Sequence, residues 1–173
     1  MRTVGDIDWK YWNFTERATL CFLVRNGLVL LIHKKTGLGA GKINGPGGRI
    51  EKGETPAEGA VRELQEEVGL TPADPKKYGE LSFIFENGYS LHGTVFVSHS
   101  FTGTMTETEE AKPFWCDIRD IPYDRMWKDD PYWLPFLLTG RQIRAFFIYN
   151  DDTMQSSRVF IYGNEAVPVS SLW

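Results

Sequence analysis

The order of predicted elements indicates a mixed α+β domain. Apolar runs rich in β-branched and aromatic residues predict strands, one strongly capped segment predicts a helix among them, and a second helix start lies between later strand runs. The chain has 173 residues, of which 42% are apolar and 24% charged. This is the size and composition of an ordinary globular domain, so we expect residues 1–173 to form a single domain.

The first predicted elements are two antiparallel strands, 19–24 and 28–32. They are separated by Asn26-Gly27, a dipeptide that favours a tight hairpin turn. The next segment, 34–49, is rich in glycine and is expected to be a loop without regular structure in which the backbone approaches its neighbours closely.

The segment 56–68 carries start and stop signals of a helix. Thr55, Pro56 and Glu58 form a capping box with proline at the first helical position, and Gly69 suits a left-handed C-terminal cap. Apolar residues at helical spacing give this helix a buried face: Ala57, Ala60, Val61, Leu64 and Val68.

Later elements follow the same two periodicities. Strands are predicted at 81–85, 94–97 and 112–117, a helix from Asp130-Pro131 to a stop at Gly140, and a closing hairpin of 144–150 and 157–162. The terminal segments, 1–16 and 163–173, are expected to be extensions that dock through Trp9, Trp12 and Trp173.

Charge and composition exclude several classes of protein. The formal net charge of −4 argues against a protein that coats a nucleic acid polymer, and no apolar run is long enough to span a membrane. Two cysteines without CxxC spacing indicate a reducing compartment, and the N-terminus lacks a signal-peptide core, so we expect a cytoplasmic protein. The segment 37–42 lacks the spacing of a phosphate-binding P-loop.

The predicted first helix carries an acidic face. Glu63, Glu66 and Glu67 lie three and four positions apart, and like charges at this spacing destabilise a helix by roughly 0.2–0.5 kcal/mol per pair. A hard divalent cation, Mg²⁺ or alternatively Mn²⁺, would relieve the repulsion through carboxylate oxygens. The alternative interpretation is an ordinary solvated helix surface.

The sequence around this helix matches the pattern G-x5-E-x7-R-E-U-x-E-E-x-G-U, in which U is aliphatic. All nine fixed positions are filled: Gly48, Glu54, Arg62, Glu63, Leu64, Glu66, Glu67, Gly69 and Leu70. The segment therefore resembles the Nudix box, a loop-helix-loop. Glu54 and Arg62 are expected to pair and brace the loop against the helix.

Two further segments narrow the resemblance. Residues 37–45 and 126–135, the second of which contains M-W-K-D-D-P-Y-W, resemble the oxidised purine nucleoside triphosphatases of the Nudix superfamily over about residues 17–162. The resemblance implies a Nudix fold, a mixed β-sheet sandwiched between α-helices. It also implies cleavage of 8-oxo-dGTP, 2-oxo-dATP or a related triphosphate into the monophosphate and pyrophosphate.

The resemblance also assigns a substrate pocket. Trp127 would stack on the purine, while Asn44, Asp129 and Asp130 would bind its edge. The other expected pocket residues are Thr19, Lys34, Phe83 and Phe85. The family has phenylalanine and tryptophan where this chain has Leu38 and Ile43, so less aromatic surface is expected to reach the base.

The aspartate pair has a physical interpretation of its own. Two adjacent buried carboxylates should not both stay charged, so one could hold a proton and donate while the other accepts. The alternative is that Asp129-Asp130 merely caps the following helix, with Asp130 before Pro131.

The resemblance also implies metal-binding and catalytic roles for glutamates of the Nudix box and for one residue after it, Glu110. Glu63, Glu66 and Glu67 are the expected metal ligands, with a backbone carbonyl near Gly47 and the carboxylate of Glu110, for which Glu109 is the nearby competitor. The expected catalytic residues are Glu63, Glu67 and Glu110, and the general base is Glu67 or, failing that, Glu110.

Three functions remain open at this point. The first is the oxidised purine triphosphatase, and the second is a Nudix hydrolase of ADP-ribose, a dinucleoside polyphosphate or another modified nucleotide. The third is a nucleotide sensor without catalysis, against which the complete carboxylate set argues. The expected partner in each case is a small nucleotide bound by a monomer.

Overall fold

The computed structural model describes residues 2–163 and contains eleven strands and two α-helices in that range. The strands are β1 (Glu16–Arg25), β2 (Leu28–Lys34), β3 (Ile43–Asn44), β4 (Gly47–Arg49), β5 (Leu70–Ala73), β6 (Lys76–Phe85), β7 (Ser90–Ser98), β8 (Ser100–Gly103), β9 (Ala111–Asp117), β10 (Ile143–Asn150) and β11 (Thr153–Ile161). The helices are α1 (Pro56–Val68) and α2 (Asp130–Leu137). Neither helix is long and apolar enough to cross a membrane.

Nine of these strands form one curled mixed sheet, in the order β11-β10-β6-β7-β1-β2-β3, with β4 paired to β1 and β9 paired to β2. The pairs β1/β7 and β6/β10 are parallel, and the other pairs in the sheet are antiparallel. The remaining strands, β5 and β8, pair with each other. The predicted mixed α+β fold is confirmed.

The two helices cover opposite faces of this sheet. Successive side chains of a strand point to opposite faces, and in β1 Cys21 packs with Leu64 of α1, whereas Phe22 packs with Trp133 of α2. The sandwich therefore follows from strands that are apolar on both faces. Trp9, with Trp12, extends the α1 layer by packing 4.7 Å from the ring of Phe146, as expected for the N-terminal extension.

The structure corrects several sequence boundaries. The glycine-rich segment contains two short strands, β3 and β4, because residues 43–44 pair with β2 and residues 47–49 pair with β1. Strands β5 and β8 were not predicted, and β6 begins at Lys76 rather than at residue 81. The expected contact of Trp173 lies outside the described residues.

Candidate active site

The first helix is fixed by the caps that its sequence predicts. The Thr55 side chain accepts a hydrogen bond from the Glu58 N–H, the Glu58 carboxylate accepts one from the Thr55 N–H, and Gly69 ends the helix at φ 75°. Ala60, Leu64 and Val68 are fully buried against the sheet. This packing determines which way the acidic side chains of the helix can point.

Arg62 braces the preceding loop against α1. Its Nε and Nη2 donate to the two carboxylate oxygens of Glu54 at 2.7 and 2.9 Å, and Nη2 also donates to the carbonyl of Arg49 at 2.9 Å. The hydrogen bonds from Arg62 to Glu54, and then one from the Glu51 N–H, lower the pKa of Glu54 to about 2. The predicted pairing of Glu54 with Arg62 is therefore present as a bidentate ion pair.

The three glutamates of the acidic face differ in burial. The Glu66 side chain is half exposed, that of Glu63 is largely buried, and Glu67 is only 3% exposed. Nη1 of Arg62 donates to both Glu63 (2.9 Å) and Glu66 (3.1 Å). Both carboxylates are therefore bound by Arg62. A metal ion at this position would share them with the arginine or displace it.

Glu67 is buried beneath the glycine-rich segment. Its Oε1 accepts a hydrogen bond of 2.8 Å from the Gly47 N–H. Burial raises the pKa of Glu67 to about 8, against the effect of that hydrogen bond and of Lys34, and with a further upward contribution from Glu63 and Glu110. Glycine is required at position 47, because a Cβ there would overlap the backbone carbonyl of Thr19, whereas a Cβ at position 48 would displace the Glu63 carboxylate.

Lys34 and Glu110 act on the same cluster from other elements. Burial lowers the pKa of Lys34, and this effect, with a smaller one from Arg49, outweighs the upward effect of the charges of Glu67, Glu63 and Glu110. The negative charge of Glu110 contributes to the raised pKa of both Glu63 and Glu67. Of the two candidates on this segment, Glu110 therefore acts electrostatically on the cluster.

The donor set of this cluster is suited to a divalent cation. It consists of carboxylates, and Glu63, Glu67 and Glu110 lie close enough to interact electrostatically, while burial raises the pKa of both Glu63 and Glu67. Within residues 2–163, however, no three histidine, cysteine, aspartate or glutamate side chains are arranged as a ready metal site. A metal ion would have to share Glu63 and Glu66 with Arg62 or displace the arginine from them.

A pocket opens beside this cluster on the face of the sheet that α2 covers. It brings together all eight residues predicted to bind substrate: Thr19, Lys34, Asn44, Phe83, Phe85, Trp127, Asp129 and Asp130. Gly47 and Gly48 also line it, so the pocket adjoins the acidic face of α1. The eight residues predicted to bind substrate thus line one pocket, and the predicted metal ligands of α1 lie outside its lining.

Trp127 stands at the pocket between two neighbours. It makes an edge contact with Tyr149, with ring centroids 5.4 Å apart, and Nζ of Lys42 lies 5.1 Å from its ring. Gly39 has φ 83°, and a Cβ on it would come within 2.8 Å of the Trp127 indole nitrogen. Glycine at position 39 therefore leaves room for the tryptophan.

The aspartate pair is almost fully buried. Asp129 is 2% exposed and accepts two hydrogen bonds, from the Tyr149 hydroxyl to Oδ1 (2.5 Å) and from the Trp133 indole N–H to Oδ2 (2.8 Å). Burial, and then the charge of Asp129, raise the pKa of Asp130 well above its usual range. Asp129 is the N-cap of α2 but its side chain makes no capping hydrogen bond, and Asp130 is the first helical residue, so the capping interpretation is wrong.

Sequence reasoning missed Tyr149 and Trp133, which hold Asp129, and the apolar wall formed by Leu81 and Leu91. The alternation of β10 carried a signal, since Phe147 and Tyr149 are two residues apart and share the face toward α2. Of the two departures from the family pattern, Leu38 lines the pocket, whereas Ile43 is buried in the core.

Comparisons with known proteins agree with this geometry. The NUDIX domain family matches residues 15–137. The chain is 41% identical over 140 residues to the oxidized purine nucleoside triphosphate hydrolase of Mus musculus, which covers 80% of this chain and 90% of the relative. It is also 41% identical over 136 residues to the Danio rerio protein of the same name, covering 78% and 87%.

A solved structure shows the same architecture. The MutT protein of Bacillus halodurans superposes with a TM-score of 0.75 at 28% identity, covering 83% of this chain and 97% of that one. The family match, the two relatives and this structure agree on one assignment: the chain belongs to the Nudix hydrolase family.

Proposed function

We propose that this protein hydrolyses oxidised purine nucleoside triphosphates, of the 8-oxo-dGTP and 2-oxo-dATP type, to the monophosphate and pyrophosphate. The observation that carries the proposal is the buried Asp129-Asp130 pair beside Trp127, in a pocket that adjoins the acidic helix. The names of the mouse and zebrafish relatives support the same substrate class.

The pocket would bind the base by stacking and by paired hydrogen bonds. Trp127 offers an indole face, Phe83 and Phe85 supply apolar walls, and the aspartate pair presents one acceptor and one donor when Asp130 is protonated. A base that carries a hydrogen-bond donor next to an acceptor on its edge can pair with both aspartates at once. A purine whose edge lacks this arrangement would leave a buried polar group unpaired, which costs about 1–3 kcal/mol.

The acidic face of α1 would hold the metal. Glu63, Glu66, Glu67 and Glu110 are the proposed ligands, with the backbone at Gly47, and Mg²⁺ is the proposed ion, with Mn²⁺ as the alternative. When bound, the cation would neutralise charge on the phosphates and activate water. The side chains of the protein would provide the general base and a positive charge near the phosphates.

Glu67 is the proposed general base. Its carboxylate is fixed by the Gly47 N–H, and in the metal-free protein burial raises its pKa to about 8. A bound cation would lower this value toward neutral pH, where a base is most effective. Lys34 lies between this cluster and the pocket and would place its positive charge near the phosphates. Glu110 is the second candidate for the base.

Pyrophosphate release tests the proposal. The purified protein is offered 8-oxo-dGTP, 2-oxo-dATP, the four normal deoxynucleoside triphosphates and ADP-ribose, with Mg²⁺ present or removed by chelation. We expect turnover only with metal, and the highest kcat/KM with an oxidised purine. Dominant cleavage of ADP-ribose would assign the chain to another branch of the family, and tight binding without turnover would make it a sensor. The single-domain organisation, the monomeric state and the cytoplasmic location stay predictions.

A further inference from the structure

The aspartate pair is held asymmetrically by side chains that the mechanism above does not use. Tyr149 is fully buried, and its hydroxyl donates to Oδ1 of Asp129 at 2.5 Å while accepting from the Asp129 N–H at 3.0 Å. Trp133, also fully buried, donates from its indole nitrogen to Oδ2 at 2.8 Å. Both carboxylate oxygens of Asp129 therefore accept from a buried donor.

Asp130 is held differently. No side-chain hydrogen bond or ion pair to its carboxyl group is present in the structure of residues 2–163, although it is only 8% exposed and lines the pocket. Burial raises the pKa of both aspartates, but the hydrogen bonds from Tyr149 and Trp133 oppose it at Asp129, whereas at Asp130 only the backbone of Trp127 opposes burial and the charge of Asp129. The carboxylate with two buried side-chain donors is therefore favoured in its charged form relative to the neighbour that has none. The two residues are thus unequal before any substrate binds.

The surroundings offer no cation that could reverse this order. Along the described part of the chain, neither aspartate forms an ion pair with lysine, arginine or histidine. The titratable groups that interact with the pair are Tyr149 of β10 and Tyr123 of the 3-10 helix Tyr123–Arg125. Burial raises the pKa of both tyrosines, and the negative charges of the pair raise it further. Lys34 of β2 lines the same pocket, but it interacts with the glutamate cluster.

We propose that Tyr149 and Trp133 are positioning residues that fix the negative charge of the pair on Asp129, so that the pocket presents an acceptor at Asp129 and a donor at Asp130 in a set order. This inference rests on the proposed function for the class of base, and it deepens that function by naming what determines the choice between two oxidised purines. The guanine type carries an acceptor at position 6, and the adenine type carries a donor there. A set order should therefore favour one of them.

Removal of one hydroxyl tests the proposal. Tyr149→Phe deletes one of the two donors to Asp129 and leaves the ring. We expect the ratio of kcat/KM between 8-oxo-dGTP and 2-oxo-dATP to move toward one by about tenfold, the size expected for a hydrogen bond to a charged group. The change should lie in KM, because Tyr149 does not contact the acidic face of α1.

Tyr89→Phe is the matched control. The Tyr89 hydroxyl also donates to a carboxylate, Oε2 of Glu16 at 2.8 Å, but neither residue lines the substrate pocket. The control should leave the ratio unchanged. Equal loss for both substrates in Tyr149→Phe, with the ratio preserved, would show a merely structural role and overturn the proposal.

Two measurements separate this inference from the proposed function. Calorimetric binding of 8-oxo-dGMP and 2-oxo-dAMP without metal reports the base preference even if no triphosphate is cleaved, and the same shift is expected there. If Tyr149→Phe does not fold, infrared spectra of the wild type and of the two aspartate variants replace it. The difference spectrum between wild type and Asp130→Asn at neutral pH should contain the carbonyl band of a protonated carboxylic acid, whereas the difference spectrum for Asp129→Asn should lack it. Any band from protonated Glu67 is common to all three proteins and cancels. The reverse pattern would overturn the proposal.

Discussion

The protein has two acidic clusters, the glutamates of α1 and the Asp129-Asp130 pair, and the repulsion between their like charges is reduced in different ways. The cluster on α1 has basic neighbours, Arg62 and Lys34, yet burial still raises the pKa of Glu67 to about 8. The Asp129-Asp130 pair has no basic partner within residues 2–163 and instead receives two neutral donors on one member. We propose that a cation completes the first arrangement and that a proton completes the second. The comparison indicates why one site suits phosphate chemistry and the other suits recognition of a neutral base.

The largest effect is expected at the cluster on α1. Glu67→Gln should lower kcat by about 10²–10⁴-fold, the usual contribution of a positioned acid or base, because the amide retains the acceptor for the Gly47 N–H but cannot take a proton. The measurement is steady-state pyrophosphate release with Mg²⁺. Glu109→Gln on the exposed neighbouring segment should be near normal, and near-normal rates in Glu67→Gln itself would remove Glu67 from the mechanism.

The second effect is expected at the base pocket. Trp127→Ala should weaken nucleotide binding by roughly 10–100-fold, because stacking of a base on an aromatic ring contributes about 1–3 kcal/mol, while metal binding persists. Calorimetric titrations with nucleotide and with Mg²⁺ measure the two events separately. Trp127→Phe should restore much of the affinity, and an unchanged KM in Trp127→Ala would contradict stacking.

The two clusters also differ in what could be predicted from sequence. Helix α1 was predicted with its observed bounds, Pro56–Val68, because its caps and its buried face are local signals. The pocket residues were predicted through the resemblance, but the hydrogen bonds that hold Asp129 in place were not. Tyr149 is 20 positions from Asp129 in sequence, and only the register of β10 in the sheet brings its hydroxyl to that carboxylate. Strand β4 was missed for the same reason: its glycines pair with β1, which no local pattern shows.

A smaller effect is expected on stability. The folded pKa of Glu67 is raised from 4.5 to about 8, so the unfolded chain loses this proton first as pH rises. In metal-free protein the contribution of protonated Glu67 is therefore fully present below about pH 4.5 and is lost as pH rises toward 8, by an amount on the order of a few kcal/mol.

Thermal melts check this sign. Between pH 5 and about 8, the Tm of chelated wild type should fall relative to that of Glu67→Gln, which cannot ionise, and Mg²⁺ should raise Tm more in the wild type. A constant difference in Tm between the two proteins across this range would show that the pKa of Glu67 is not raised in the folded state.

The smallest effect concerns the aromatic surface that this chain lacks. Leu38 lines the pocket and is 43% exposed, so Leu38→Phe can place a ring beside the base without disturbing the core. We expect KM for the preferred oxidised purine to fall by about two- to fivefold, the lower range of a stacking contact. Ile43→Trp restores the other family aromatic, but Ile43 is 2% exposed in the core, so this change should lower Tm through overpacking rather than improve KM. If Ile43→Trp lowers KM and Leu38→Phe leaves KM unchanged, the base lies on the side of the pocket away from Leu38.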